Sequence, residues 1–182
     1  MAKLKVLTAG NPVLKMISQP VGKVDKKIKR LLKDMAETMY KDDNGVGLAA
    51  PQVGILQRMV VIDVGDEHGL MELINPVITK REGKIVVGEG CLSVPDFEGE
   101  VERSAYVECE YYDTKNQKKF VAAEGLLAVC IQHELDHLDG ILFTDRAISI
   151  TPKEQSHTPA AEAKRRANIN GPIAGPAAAP AK

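Results

Sequence analysis

Apolar side chains recur at Ile28, Leu31, Leu32, Met35 and Met39, the i, i+3, i+4, i+7 spacing that lays one buried stripe along a helix. This predicts a helix over residues 25 to about 42, with Asp25 as its N-cap and a stop before Asn44-Gly45. The next ten residues, GVGLAAPQVG from Gly45 to Gly54, carry little side-chain bulk. They read as a loop suited to close approach of backbone to a ligand or strand. From Gln57 to about Tyr112 the chain reads mostly as strands. Met59 to Val64 is a short apolar run, and Leu70 to Thr79 and Lys84 to Val87 follow it. Val101 to Tyr112 mixes Val and Tyr with charge, as one half-exposed antiparallel strand would. Asp113 to Gln117 predicts a turn into a further strand ending near Ala123. A second helix is expected from about Glu124 to Leu138. Leu126 to Ile131 makes it apolar nearly all round, which places it in the core, and Gly140 is set to end it.

The pattern fades after Ile150, where proline and alanine dominate. We expect a catalytic domain over 1–150 and an Ala/Pro-rich, mostly disordered tail over 151–182, with at most a short helix from Ala160 to Ala167. At 182 residues the chain is long enough for one sizeable core and short for two. A net charge of -1 removes any electrostatic demand for DNA or an anionic membrane as partner. No apolar run approaches the roughly 20 residues that span a bilayer, and no signal or transit sequence is apparent. Three cysteines, Cys91, Cys109 and Cys130, argue against a disulfide framework and for a reducing cytoplasm. A functional cysteine there is a metal ligand or a nucleophile.

The candidate chemistry centres on His133-Glu134-Leu135-Asp136-His137. Histidines at i and i+4 share one helical face, so both imidazoles can reach one ion. Glu134, between them, is placed to take a proton from water activated by that ion. A buried helix ending in two histidines and three carboxylates needs partners for them. Two histidines need a third ligand. The metzincin extension would place a third histidine where Phe143 stands, which excludes that class. A thermolysin-like downstream glutamate would have to be Glu154 or Glu162, both in the tail. Cys91, after a strand and flanked by Gly88 and Gly90, is the better candidate, since a thiol beside a divalent ion is deprotonated and binds firmly. Cys109 reads as core, and Cys130 as core or pocket lining. Gln52 is either an amide donor for a tetrahedral oxyanion or a loop glutamine bonded to backbone.

Taken in order, GVGLAAPQ, EGCLS and QHELDH resemble the three signature motifs of the peptide deformylase family, over roughly residues 1 to 150. The resemblance implies an α+β fold with antiparallel β-sheets packed around the central helix of the HELDH motif. It implies removal of the N-formyl group from the formyl-methionine of nascent polypeptides, with release of formate. Cys91, His133 and His137 would hold one divalent ion, Fe2+ foremost, with Zn2+, Ni2+ or Co2+ able to occupy the site; ligand type alone does not choose among them. Glu134 would be the general base, and Gln52 with the backbone N–H of Leu92 would stabilise the oxyanion. The methionine side chain would sit among Val46, Gly47, Val87, Leu126, Val129 and Cys130. The helical members of that set lie near the face of His133, which supports them independently.

Two departures matter. Where many bacterial members carry arginine, seven residues after the ligand cysteine, this chain has Glu98. That implies altered contacts to the peptide beyond methionine, or contacts through Arg103. The tail is also unlike the family's usual C-terminal helix, which puts transient ribosome contact in doubt. Lys164-Arg165-Arg166 offers charge for rRNA phosphates, with a solvated tail the preferred reading. Two other functions compete: a metallopeptidase, which lacks its downstream ligand, and a non-catalytic ribosome-associated binding protein, which would need neither Glu134 nor Gln52.

Overall fold

The computed structural model describes residues 4–153. The tail expectations for residues 154–182, including the helix over Ala160–Ala167 and the basic Lys164-Arg165-Arg166, lie outside the described residues. The first helix, α1, runs Lys26–Met39, and Asp25 caps it by accepting from the Ile28 N–H at 3.0 Å. The next strands are β1 (Gly47–Ala49), β2 (Met59–Ile62) and β3 (Met71–Glu82). Then come β4 (Ile85–Cys91), β5 (Val94–Arg103), β6 (Tyr106–Tyr112) and β7 (Lys118–Glu124). The second helix, α2, is Gly125–Leu138; a single turn, α3 (Phe143–Arg146), and the strand β8 (Ser149–Pro152) follow. A five-stranded antiparallel sheet has the order β1-β2-β3-β6-β7, and a three-stranded one the order β4-β5-β8. This is the expected α+β arrangement.

β2 shows how the core is divided. Its four residues are all buried. Val60 and Ile62 join Leu73, Val107, Leu127, Ile131 and Leu138 in the cluster between the five-stranded sheet and α2. Met59 and Val61, pointing the other way as strand residues must, pack with Ile28, Leu32, Met35 and Met39 of α1. The sheet is therefore sandwiched between the two helices. In α2, every residue from Leu127 to Leu138 is buried, as its all-round apolarity predicts. Gly140 ends the helix at φ +72°, and a Cβ there would lie 2.5 Å from the Lys15 carbonyl oxygen, so only glycine fits.

Four expectations need correction. The run from Val101 to Tyr112 is not one strand. It breaks at Ser104-Ala105, so that β5 and β6 belong to different sheets. The Gln132 side chain accepts from the Ser104 N–H and donates to the Ser104 carbonyl, both at 2.9 Å. The backbone polar groups of Ser104 are thus satisfied by a helix side chain rather than by a ladder, and the chain can change sheets there. The glycine-rich loop contains β1, whose three residues pair with Val60 to Ile62. The strand expected over Lys84 to Val87 extends to Cys91. Finally, β8 pairs with Phe97 to Glu100 through Pro152, so a boundary at residue 150 would cut a strand.

Candidate metal centre

Cys91 is the last residue of β4, and only Leu92 and Ser93 separate it from β5, where it pairs with Val94. This tight turn fixes the thiol over the C-terminal half of α2. The Sγ of Cys91 and one ring nitrogen each of His133 and His137 lie within 4.8 Å of one another, all three residues being buried. Sγ is 3.3 Å from Nε2 of His137. A thiol and two imidazoles converging without intervening side chains suit one borderline-soft divalent ion. Asp66, Glu67 and His68 form the other such trio among the described residues, but they are consecutive and exposed.

The histidines differ in their support. Nδ1 of His133 is 2.7 Å from Oε2 of Glu89, the carboxylate contact that fixes a ligand imidazole's tautomer and frees Nε2. Burial disfavours charge on His133, but its hydrogen bonds to Cys91 and Glu89 outweigh that and push it well above 6.5. His137 is pushed well below 6.5, by burial and by the charges of His133 and Arg103. Its Nδ1 is buried with no hydrogen-bond partner among the described residues. Behind Glu89 sits Arg103, whose Nε and Nη2 donate to the two Glu89 oxygens at 2.6 and 2.9 Å while Nη1 donates to Asp136 at 2.6 Å. Burial would push Glu89 up; Arg103 and His133 outweigh it and hold the carboxyl at about 2. Arg103 is thereby committed, with its side chain 4% exposed, and the expectation that it contacts peptide is overturned.

Glu134 is 3% exposed. Burial chiefly, opposed by the charge of His133, pushes its carboxyl up to about 7, so it can take and return a proton near neutrality. A Cβ on Gly47 would stand 2.4 Å from its Oε1 and 2.9 Å from the Cys130 Sγ, so the second glycine of the loop makes room for this carboxylate. Gln52 is bonded to backbone, one of the two readings considered for it. Its Oε1 accepts from the Ala49 N–H at 2.8 Å, and this turns Nε2 toward Ser93 Oγ at 3.1 Å and Cys91 Sγ at 3.5 Å.

A cavity of about 480 Å³ opens over these groups, within the range of a small-ligand site. Val46, Gly47, Leu126, Val129 and Cys130 line it, as do Gln52, Leu92, Glu98 and Glu134. Val87 does not, although it is buried; its neighbour Gly88 does. Val87 instead lies in β4 opposite Val101. Burial, with the charge of Glu134, pushes the Cys130 thiol well up, and burial raises Cys109 to about 12, leaving both as unreactive apolar groups. Sequence reasoning did not assign Glu89, Asp136, Arg146 or Phe143. Phe143, at the position that excluded metzincins, stacks its ring on His133 at 6.3 Å. The demand of the buried helix carboxylates for cationic partners was the available signal for Arg103 and Arg146.

Comparison with known proteins agrees with this geometry. A family model described as polypeptide deformylase matches residues 3–153. A peptide deformylase of Acetivibrio thermocellus is 52% identical over 160 residues, covering 88% of this chain and 92% of its own. One from Caldanaerobacter subterraneus is 51% identical over 146 residues, covering 80% and 90%. The crystal structure of the Thermotoga maritima peptide deformylase superposes with a TM-score of 0.78 at 41% identity, covering 82% of this chain and all of that one. The Synechococcus elongatus enzyme, solved in complex with actinonin, gives 0.76 at 42% identity, covering 79% and 80%.

Proposed function

This chain belongs to the polypeptide deformylase family, and from that premise we propose that Cys91, His133 and His137 hold its divalent ion and that Glu134 is its general base. It is a metal-dependent hydrolase that removes the N-formyl group from nascent peptides. The observation that carries the assignment is the convergence of the three donor atoms within 4.8 Å, beside a cavity that Cys91, His133 and Glu134 line.

A divalent ion held there supplies Lewis acidity toward the formyl oxygen and toward water. The residues do the rest. Glu134, pushed up to about 7, removes a proton from the attacking water and returns it to the departing amine. Gln52, its Oε1 anchored by Ala49, offers Nε2 to the oxyanion, and the N–H of Leu92 is the second donor. Val46, Gly47, Leu126, Val129 and Cys130 receive the methionine side chain. Glu98, on the cavity wall, meets the peptide beyond it. Ferrous iron is the proposed native ion, and the proposed setting is the cytoplasm, where nascent chains emerge. No helix among the described residues is long and apolar enough to cross a membrane.

Amine release from formyl-Met-Ala-Ser by anaerobically purified, iron-loaded protein tests this reading. Rapid turnover is expected, lost on chelation and restored by Fe2+. Glu134→Ala should lower kcat by about 10²–10⁴-fold with the metal still bound. Loss of the metal in that variant would contradict its role as base.

A further inference from the structure

We propose that Arg146, on the solvent side of α3, is a positioning residue for the metal centre that acts through Asp136, Arg103 and Glu89 on His133. The proposal rests on the ligand set assigned above. The contacts form one continuous chain. Arg146 donates from Nε and Nη2 to the two oxygens of Asp136, at 2.7 and 2.9 Å. Asp136 accepts from Nη1 of Arg103 at 2.6 Å on the same Oδ2 that Arg146 Nε reaches. Arg103 grips both oxygens of Glu89, and Glu89 Oε2 meets His133 Nδ1 at 2.7 Å.

Two guanidinium groups here face two carboxylates, and Arg146 supplies one of the two. Arg103 has three contacts to divide between Glu89 and Asp136. The bidentate cap from Arg146 satisfies Asp136 and leaves Arg103 free to hold Glu89 with two parallel bonds, the stronger and more directional arrangement. Without Arg146, Asp136 becomes a buried carboxylate short of one partner, and it competes with Glu89 for the only remaining guanidinium. Glu89 then loses its fixed orientation, and with it goes the orientation of the His133 ring. Arg146 has a side chain 45% exposed, so it can be replaced without opening a cavity in the core.

Cobalt(II) loaded into the full-length protein reads the effect without recourse to turnover. Wild type should show thiolate-to-cobalt absorption, absent from Cys91→Ser. Its d–d bands report ligand geometry, and chelator competition gives affinity. Outer partners of ligand imidazoles are worth about 10–100-fold in metal affinity. Arg146→Met, a step further out, should cost about threefold to tenfold and shift the d–d bands, and Arg146→Lys should recover part of both. Lys15→Met is the control: Lys15 pairs with Asp145 of the same turn and does not touch Asp136, so affinity and bands should stay at wild type. Unchanged bands and affinity in Arg146→Met overturn the proposal alone. So does an equal shift in Lys15→Met, which would assign the effect to docking of α3. Absence of the thiolate band from wild type overturns the ligand set, and the proposal with it.

Discussion

The two sheets are held by different physics. The five-stranded sheet is fastened to α2 by apolar side chains: Val60, Ile62, Leu73, Val107 and Ile131 are all fully buried. The three-stranded sheet has a smaller apolar cluster, in which Cys91 itself packs with Leu14, Val94, Val101, Leu142 and Phe143. Its polar ties to α2 run through Glu89 and Arg103 to His133 and Asp136, beside the Cys91–His137 contact. A buried ionic cluster is a poor source of net stability, because desolvation offsets most of its Coulomb gain. Its merit is direction. Apolar contacts tolerate small slides, whereas a bidentate guanidinium fixes angles, and ligand geometry depends on angles. The sheet that delivers the thiol is the one bolted down by directional contacts.

Substituting one residue in each sheet should separate these roles. Arg103→Met removes the hub and leaves Glu89 and Asp136 short of their counter-charge. Breaking a buried pair in this way costs about 3–5 kcal/mol, and metal affinity should fall by about 10–100-fold as His133 loses its fixed acceptor. Leu73→Ala, in the five-stranded sheet, should cost about 2–5 kcal/mol through lost burial and the cavity left behind, with metal affinity of the folded protein unchanged. Urea unfolding and chelator competition on both variants check this. Equal losses of metal affinity would erase the distinction between the sheets.

Local features of this division were legible in the sequence. The histidine pair and Glu134 could be read because helical spacing alone brings His133 and His137 onto one face. The same held for the stripe and N-cap of α1. What lay beyond reach depended on partners distant in the chain. The strand break at Ser104 is made by Gln132, and the fate of Arg103 is set by Glu89 and Asp136. Neither leaves a trace in the residues nearby. β1 was hidden because its three residues, Gly47, Leu48 and Ala49, are too few to show a period. The cavity lining was read well on α2 and missed by one position on β4, where Gly88 rather than Val87 faces the space.

Acid should weaken the ionic tie before the apolar one. The Glu89 carboxyl, ordinarily near 4.5, is held at about 2 in the folded protein. A folded value below the unfolded one stabilises the fold fully above about pH 4.5, and the contribution is lost as pH falls toward 2. At about 1.4 kcal/mol per pH unit this amounts to about 3 kcal/mol. Urea midpoints measured across that window should fall more steeply for wild type than for Glu89→Gln. Parallel curves would mean that other carboxylates govern acid unfolding.

The smallest effect is expected at the seam between the sheets. Gln52 follows β1 of the five-stranded sheet, yet its Nε2 reaches Ser93 and Cys91 at the β4–β5 turn. Ser93→Ala removes one neutral hydrogen bond, worth about 0.5–1.5 kcal/mol. The Ala49 N–H still holds Oε1, so the amide should keep its orientation and metal affinity should not move. If Ser93→Ala loosened the metal as much as Arg103→Met, the thiol would be held in place by the seam rather than by the ionic cluster. Directional control would then pass from the charged groups to the amide of Gln52.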